Sequence, residues 1–194
     1  MSSVLTSRTQ SSQQGTLAPV LAATIVLCLA AVSVALVSQH VFGMRPCPWC
    51  ILQRVIFLVI ALVCGAALIV QSRRARRFFA GLAALLGISG VASAIYQHKV
   101  AASMFSCNLT LADKIITAMQ LESALPYVFK IEASCADAAV DLLGLPYEYW
   151  GGALFALISV ALTVAFFKTR GSGVGPNLGG VLLLLNRESS RPGR

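Results

Sequence analysis

Cys47-Pro48-Trp49-Cys50 places two thiols three positions apart. A C-x-x-C pair closes a very small disulfide ring, easily opened and re-formed by a neighbouring thiolate, whereas structural crosslinks seldom use so short a loop. Pro46 and Pro48 end the preceding loop, and Cys50 enters the first turn of an apolar helix. The unpaired N–H groups and the positive dipole end of a helix favour the thiolate of a cysteine placed there, the form that attacks or leaves. A structural disulfide or half of a metal site would use the same motif. Zinc would need four ligands, and Cys47, Cys50, Cys107 and Cys135 could supply them only at an unusual spacing.

Cys107 and Cys135 lie 28 positions apart in the one long polar loop. In an oxidising compartment, where disulfides persist, a bridge between them would staple that loop. Beside an exchangeable pair, a second disulfide within reach makes a relay. Arg54 follows Cys50 by four residues and so shares its helix face one turn deeper. An arginine in a span costs about 2.5–3.5 kcal/mol on insertion scales, so it defaults to a functional reading, with snorkelling to headgroups as the plain alternative. It could hold a quinone carbonyl oxygen and stabilise the charge that develops there on reduction. His40 and His98 are expected at the same ends of spans one and three; haem ligation has no supporting motif, and His98 fits better as a proton donor or hydrogen-bond partner near a quinone. Cys28 and Cys64 lie mid-span, where cysteine usually acts as a small hydrophobe.

Energetics set what must lie downstream. A C-x-x-C disulfide poised near about −200 mV cannot oxidise a periplasmic dithiol at about −120 mV without roughly 4 kcal/mol from elsewhere. With no flavin or nucleotide fingerprint in the chain, a lipid-soluble quinone beside Cys50 is the economical acceptor.

The elements that must position these residues are membrane helices. Of 194 residues, 57% are hydrophobic and 11% charged, and the mean hydropathy is +0.80, beyond what a soluble surface tolerates. Four stretches are long enough to cross about 30 Å of hydrocarbon: Leu17 to Val37, Ile51 to Val70, Phe78 to Tyr96 and Trp150 to Phe167. The first exceeds the apolar region of a signal peptide and reads as a span. Short connections make neighbouring spans antiparallel, and a four-helix transmembrane bundle is the simplest closure.

Lys and Arg are retained on the cytoplasmic side of a membrane. Arg8, Arg73, Arg74, Arg76 and Arg77, and Lys168, Arg170, Arg187, Arg191 and Arg194, meet only Glu188 on one side, while acidic residues outnumber basic ones on the other. Both termini are therefore expected in the cytoplasm and the four loop cysteines outside. The net charge of +8 is a topology signal and gives no reason to expect nucleic acid as a partner.

Residues 1–16 are Ser, Thr and Gln rich and expected to be a disordered cytoplasmic tail; 17–168 form the four-span domain, with outer loops 38–50 and 97–149; and 169–194 are expected to be a flexible basic tail. The segment Gly171 to Pro176 is superficially nucleotide-like but follows no strand and opens no helix. In the long loop Leu111, Ile115, Met119 and Glu122 recur at helical spacing, with Ile116 beside Met119 and Thr110 with Asp113 as a capping pair. This predicts a short amphipathic helix lying in the membrane plane, its apolar face toward lipid or bundle, or else packed on the loop itself. Leu145-Pro146 reads as a helix stop and Tyr147 to Trp150 as an aromatic girdle opening span four.

With these features the chain resembles the DsbB family of bacterial disulfide bond formation proteins. The resemblance rests on Cys47-Pro-Trp-Cys50-Ile-Leu-Gln-Arg54 at the start of span two, Tyr96-Gln97-His98 closing span three, the pair Cys107 and Cys135, and Leu143-Gly144-Leu145-Pro146-x-x-x-Trp150, and covers about residues 17–168. It implies an inner-membrane thiol:quinone oxidoreductase that re-oxidises the periplasmic oxidase DsbA and passes the electrons to ubiquinone or menaquinone. Carried over by position, Cys107 forms the mixed disulfide with the partner, Cys135 attacks Cys47, and Cys50 faces the quinone as a thiolate with Arg54 beside it. The family often has a Gln between the span-three His and the first loop Cys; Val100 to Ser106 has none. Two rival readings are a reductant conduit using Cys28 and Cys64 as an intramembrane pair, and a non-catalytic metal-binding scaffold.

Overall fold

The structure is a computed structural model and describes residues 3–99, 111–134, 137–138, 141–142 and 144–171. Cys107, Cys135, Thr110 and the tail beyond residue 171 lie outside the described residues.

Four long helices, α1 (Ser3–His40), α2 (Pro48–Ile69), α3 (Arg73–Lys99) and α7 (Tyr147–Gly171), carry the architecture. Each contains a stretch long and apolar enough to cross a membrane: Leu17–His40, Pro48–Ile69, Arg73–Lys99 and Tyr147–Lys168. The helices run a few residues past the expected spans at most ends. Arg73 to Arg77 become the first turn of α3, because arginine is a good helix former and only residues 70–72 are needed to turn the chain. α1 begins at Ser3, so the polar segment expected to be a tail extends this helix N-terminally.

The long helices close a ring in which α1 packs on α2, α2 on α3, α3 on α7 and α7 on α1. Lipid is as apolar as leucine, so association inside it depends on close packing through small residues. The buried face of α3 is almost entirely small: Ala80, Ala83, Ala84, Gly87, Gly90 and Ala94. The missing Cβ of Gly87 leaves room for Ser159, and that of Gly90 for the Phe155 ring. Phe155 in turn stacks on Phe57, with ring centroids 3.8 Å apart and planes within 5°. Large apolar residues such as Leu29, Leu62, Leu85, Ile88, Leu157 and Val160 point outward, as a lipid environment requires. The chain is an all-α, multi-pass membrane protein.

Helix ends leave backbone groups that lipid cannot satisfy. At the start of α2, Cys47 is the N-cap residue and Pro48 the first helical residue, and the Cys47 sulfur accepts from Cys50 N–H at 3.3 Å. At the other end, Arg76 donates to the carbonyls of Ala67 and Val70, both at 3.1 Å.

Three short helices cover the Cys47 end of the bundle: α4 (Leu111–Ala118), α5 (Leu121–Ala124) and α6 (Pro126–Phe129). Ile116 and Phe129 pack on Ile51, and Ala112 packs on Cys47 and Trp49. The expected amphipathic helix therefore exists and turns toward the bundle, but through Ala112 and Ile116, with Leu111 and Met119 exposed. The helix ends at Ala118, and Gln120 takes a left-handed φ of 51°, which breaks the stripe before Glu122. A two-residue antiparallel ladder, β1 (Asp141–Leu142) with β2 (Leu145–Pro146), turns through Gly144 at φ 79° and leads directly into α7.

Candidate active site

Cys47 and Cys50 meet because one turn of helix separates them, and their sulfurs lie 2.8 Å apart. A modest approach of the two sulfur atoms would close a disulfide of about 2.05 Å. Cys47 is fully buried beneath Ala112 and Trp49, while Cys50 opens on its other side to a cavity. The Trp49 ring packs on Tyr96 of α3, with centroids 4.8 Å apart, which fixes the residue between the two cysteines.

The loop beyond α6 comes back to this pair. The N–H groups of Glu132 and Ala133 both donate to Pro46 O, at 3.0 and 3.3 Å, and Arg45 donates to Glu132 O at 2.9 Å. Ala138 packs against the cluster formed by Cys47 and Trp49. Described residues on both sides of Cys135 are thus held against the segment that carries Cys47.

Three polar side chains converge on the Cys50 side. Gln97 of α3 donates from Nε2 to Cys50 Sγ at 3.4 Å, and Gln53, one turn along α2, donates to Gln97 Oε1 at 2.8 Å. Arg54 is buried and spends its fork within the protein, donating from Nη1 to Gln39 Oε1 (2.7 Å) and Val128 O (2.8 Å) and from Nη2 to Ala35 O (3.4 Å). It does not snorkel: one guanidinium ties α1, α2 and α6 together while lining the cavity beside Cys50.

That cavity measures about 400 Å³, within the range of small-molecule sites. Leu27, Val32, Phe57 and Leu154 form apolar walls, and Cys50, Gln53, Arg54, Gln97, Tyr147 and Glu148 gather at the polar end. The shape suits an amphipathic molecule with a polar ring and an apolar tail.

His98 does not line this cavity. It sits on the far side of Glu148, donating from Nδ1 to Glu148 Oε1 at 2.9 Å, and faces a separate groove of about 340 Å³ between α3 and α7. His40 is held elsewhere, its Nε2 bonded to Tyr127 O at 2.9 Å. Cys28 and Cys64 are fully buried in the bundle core. Cys107 and Cys135 lie outside the described residues. Gln39, Gln53 and Glu148 were not singled out from sequence; the available signal was uncharged polarity within apolar helices for the glutamines, and for Glu148 an acid at the mouth of a span. No Gln is found in 100–106, but Gln97, just ahead of His98, reaches Cys50 instead.

The family model for disulfide bond formation protein DsbB matches residues 18–165, the four-span region with both cysteine pairs. Disulfide bond formation protein B 1 of Pseudomonas entomophila is 32% identical over 149 residues, covering 76% of this chain and 89% of the relative. The protein of the same name from Pseudomonas putida is 32% identical over 145 residues, covering 74% and 86%. Disulfide bond formation protein B of Herminiimonas arsenicoxydans is 29% identical over 153 residues, covering 78% and 96%. A C-x-x-C thiol pair at the mouth of a membrane helix, matched over these lengths, gives the chain its place: it belongs to the DsbB family of disulfide-forming oxidoreductases.

Proposed function

We propose that the protein is a bacterial inner-membrane thiol:quinone oxidoreductase that re-oxidises a periplasmic DsbA-like dithiol oxidase, with both termini in the cytoplasm. The observation that carries this reading is the position of Cys50, with Cys47 Sγ 2.8 Å away on one side and a cavity of about 400 Å³ on the other. A sulfur so placed can take part in a disulfide on its protein side while facing a lipid-soluble acceptor on its open side. The excess of arginine at the opposite end of the bundle supports the orientation.

In this scheme the partner's thiolate opens a Cys107–Cys135 disulfide and joins Cys107 in a mixed disulfide. Cys135, released, attacks Cys47 and frees Cys50 as a thiolate at the cavity wall; the partner's second thiol then closes the partner's own disulfide and expels Cys107, which re-forms its bond with Cys135 and frees Cys47 to close with Cys50. The tethering of Glu132, Ala133 and Ala138 around Cys47 supports that transfer, since it keeps the returning loop beside its target. Gln97 is placed to stabilise the Cys50 thiolate; Arg54 and Gln97 would hold a quinone ring, ubiquinone or menaquinone, and Leu27 and Phe57 would offer apolar surface to its tail. A quinone supplies the terminal chemistry by accepting two electrons and two protons.

Purified protein, a reduced DsbA-like partner and ubiquinone should together give one hydroquinone, followed by absorbance, for each disulfide formed in the partner. Partner oxidation that proceeds with the quinone unchanged would remove the acceptor from the scheme.

A further inference from the structure

We infer that Glu148 and His98 form a proton relay that crosses the first turn of α7 and feeds the Cys50 cavity from the groove between α3 and α7. The inference rests on the quinone reading of that cavity and adds the source of one proton.

The first turn of α7 is the wall between two spaces. Tyr147 and Gly151 line the Cys50 cavity, Tyr149 and Gly152 line the second groove, and Glu148, alone among the described residues, lines both. The wall is thin because two glycines follow the turn. A Cβ on Gly151 would come to 3.0 Å from Gln53 Oε1, and one on Gly152 to 3.2 Å from Ala94 Cβ, so glycine lets α7 lie close to α2 and α3 at this level. Glu148 is 8% exposed, and an isolated carboxylate so buried would carry a desolvation penalty of several kcal/mol. Its partner is His98 Nδ1 at 2.9 Å, on a ring that is 38% exposed and leans on Tyr149 with centroids 4.8 Å apart. A buried acid facing the cavity is thus bonded to a titratable ring that meets the outside, the arrangement a relay needs.

Proton balance calls for such a group. When Cys47 thiol and Cys50 thiolate close their disulfide, one S–S bond forms and two electrons pass to the quinone. The Cys47 thiol contributes one proton, but hydroquinone holds two. Among the groups at the polar end of the cavity, Gln53 and Gln97 have no acidic proton and Arg54 stays charged. Tyr147 and Glu148 remain, and of these Glu148 has the recorded bond to a group reaching the second space. His98 passes its Nδ1 proton to Glu148, which hands it on to the cavity side, and His98 is then recharged from the groove.

The test uses the full-length protein in detergent with a reduced DsbA-like partner and ubiquinone-1. Glu148→Gln keeps shape and hydrogen bonding but cannot carry a proton, and should slow quinone reduction about tenfold to a hundredfold while raising the solvent deuterium isotope effect. Quinone-free thiol exchange with the partner should be unaffected. Glu148→Asp should recover part of the rate, and added imidazole should restore His98→Ala. Wild-type turnover in Glu148→Gln, an equal loss of quinone-free exchange, failure of imidazole to rescue His98→Ala, or loss in Tyr147→Phe with Glu148→Gln intact would each overturn the relay. Wild-type protein that reduces no quinone at all would overturn the acceptor assignment and the relay with it.

Discussion

Gln97 presents its amide N–H to the Cys50 sulfur at 3.4 Å, and it presents that end because Gln53 donates to its carbonyl oxygen at 2.8 Å. Two buried amides in series fix the direction of the donor, as a lone glutamine, free to flip, would not. A hydrogen bond to a charged group is worth about 1.5–3 kcal/mol. Gln97→Leu should therefore slow alkylation of Cys50 in the reduced protein by about tenfold or more, measured as iodoacetamide adduct by mass spectrometry. Gln53→Ala should act in the same direction, less strongly. Equal rates in all three proteins would remove Gln97 from the chemistry of this sulfur.

Arg54 joins cavity and scaffold, so its removal should register in two measurements. Arg54→Ala leaves Gln39 Oε1 and Val128 O without this donor, and each buried acceptor so left costs about 1–3 kcal/mol. The expected result is a lower melting temperature together with an apparent quinone affinity weakened about tenfold or more. Arg54→Lys, which keeps charge without the planar fork, should fall between. Unchanged quinone affinity in a folded Arg54→Ala protein would confine the residue to the scaffold.

Each of Cys47, Cys50, Cys107 and Cys135 should be indispensable to quinone-coupled turnover, with different blocks. Cys107→Ser should stop capture of the partner, whereas Cys47→Ser should allow a partner adduct to accumulate at Cys107, visible on non-reducing gels. Turnover surviving either change would end the relay of disulfides.

Cys28 and Cys64 sit in the packed core, away from the cavity walls. Replacing both with alanine should leave thiol:quinone turnover intact and lower stability slightly by removing buried volume. A reductant conduit through the membrane predicts the reverse, so loss of activity in a folded double variant would favour that rival.

Gly90 is where α3 admits the Phe155 ring, which stacks on Phe57 below the cavity. A methyl group there overlaps the ring, and overpacking of this kind costs about 1–3 kcal/mol. Gly90→Ala should lower the thermal midpoint in detergent and, by pushing on Phe155 and Phe57, weaken quinone use as well. Gly65→Ala, with nothing within 4 Å of the added carbon, is the matched control.

The number and placement of the spans, the cysteine pair opening α2 and the covering helix α4 were legible in the chain itself. These are local properties: hydropathy over twenty residues, a proline and a cysteine in the capping positions, an apolar repeat at helical spacing. Which face α4 turns inward was not local, because Ala112 is chosen by the shape of the Cys47 and Trp49 surface rather than by its own hydrophobicity. Nor could sequence bring Gln53 of α2, Gln97 of α3 and Glu148 of α7 to one cavity, or set Glu148 between His98 and Cys50. Those meetings depend on how three helices rotate against one another. Small residues on α3 and α7 set that rotation by letting the backbones approach until the polar side chains can touch.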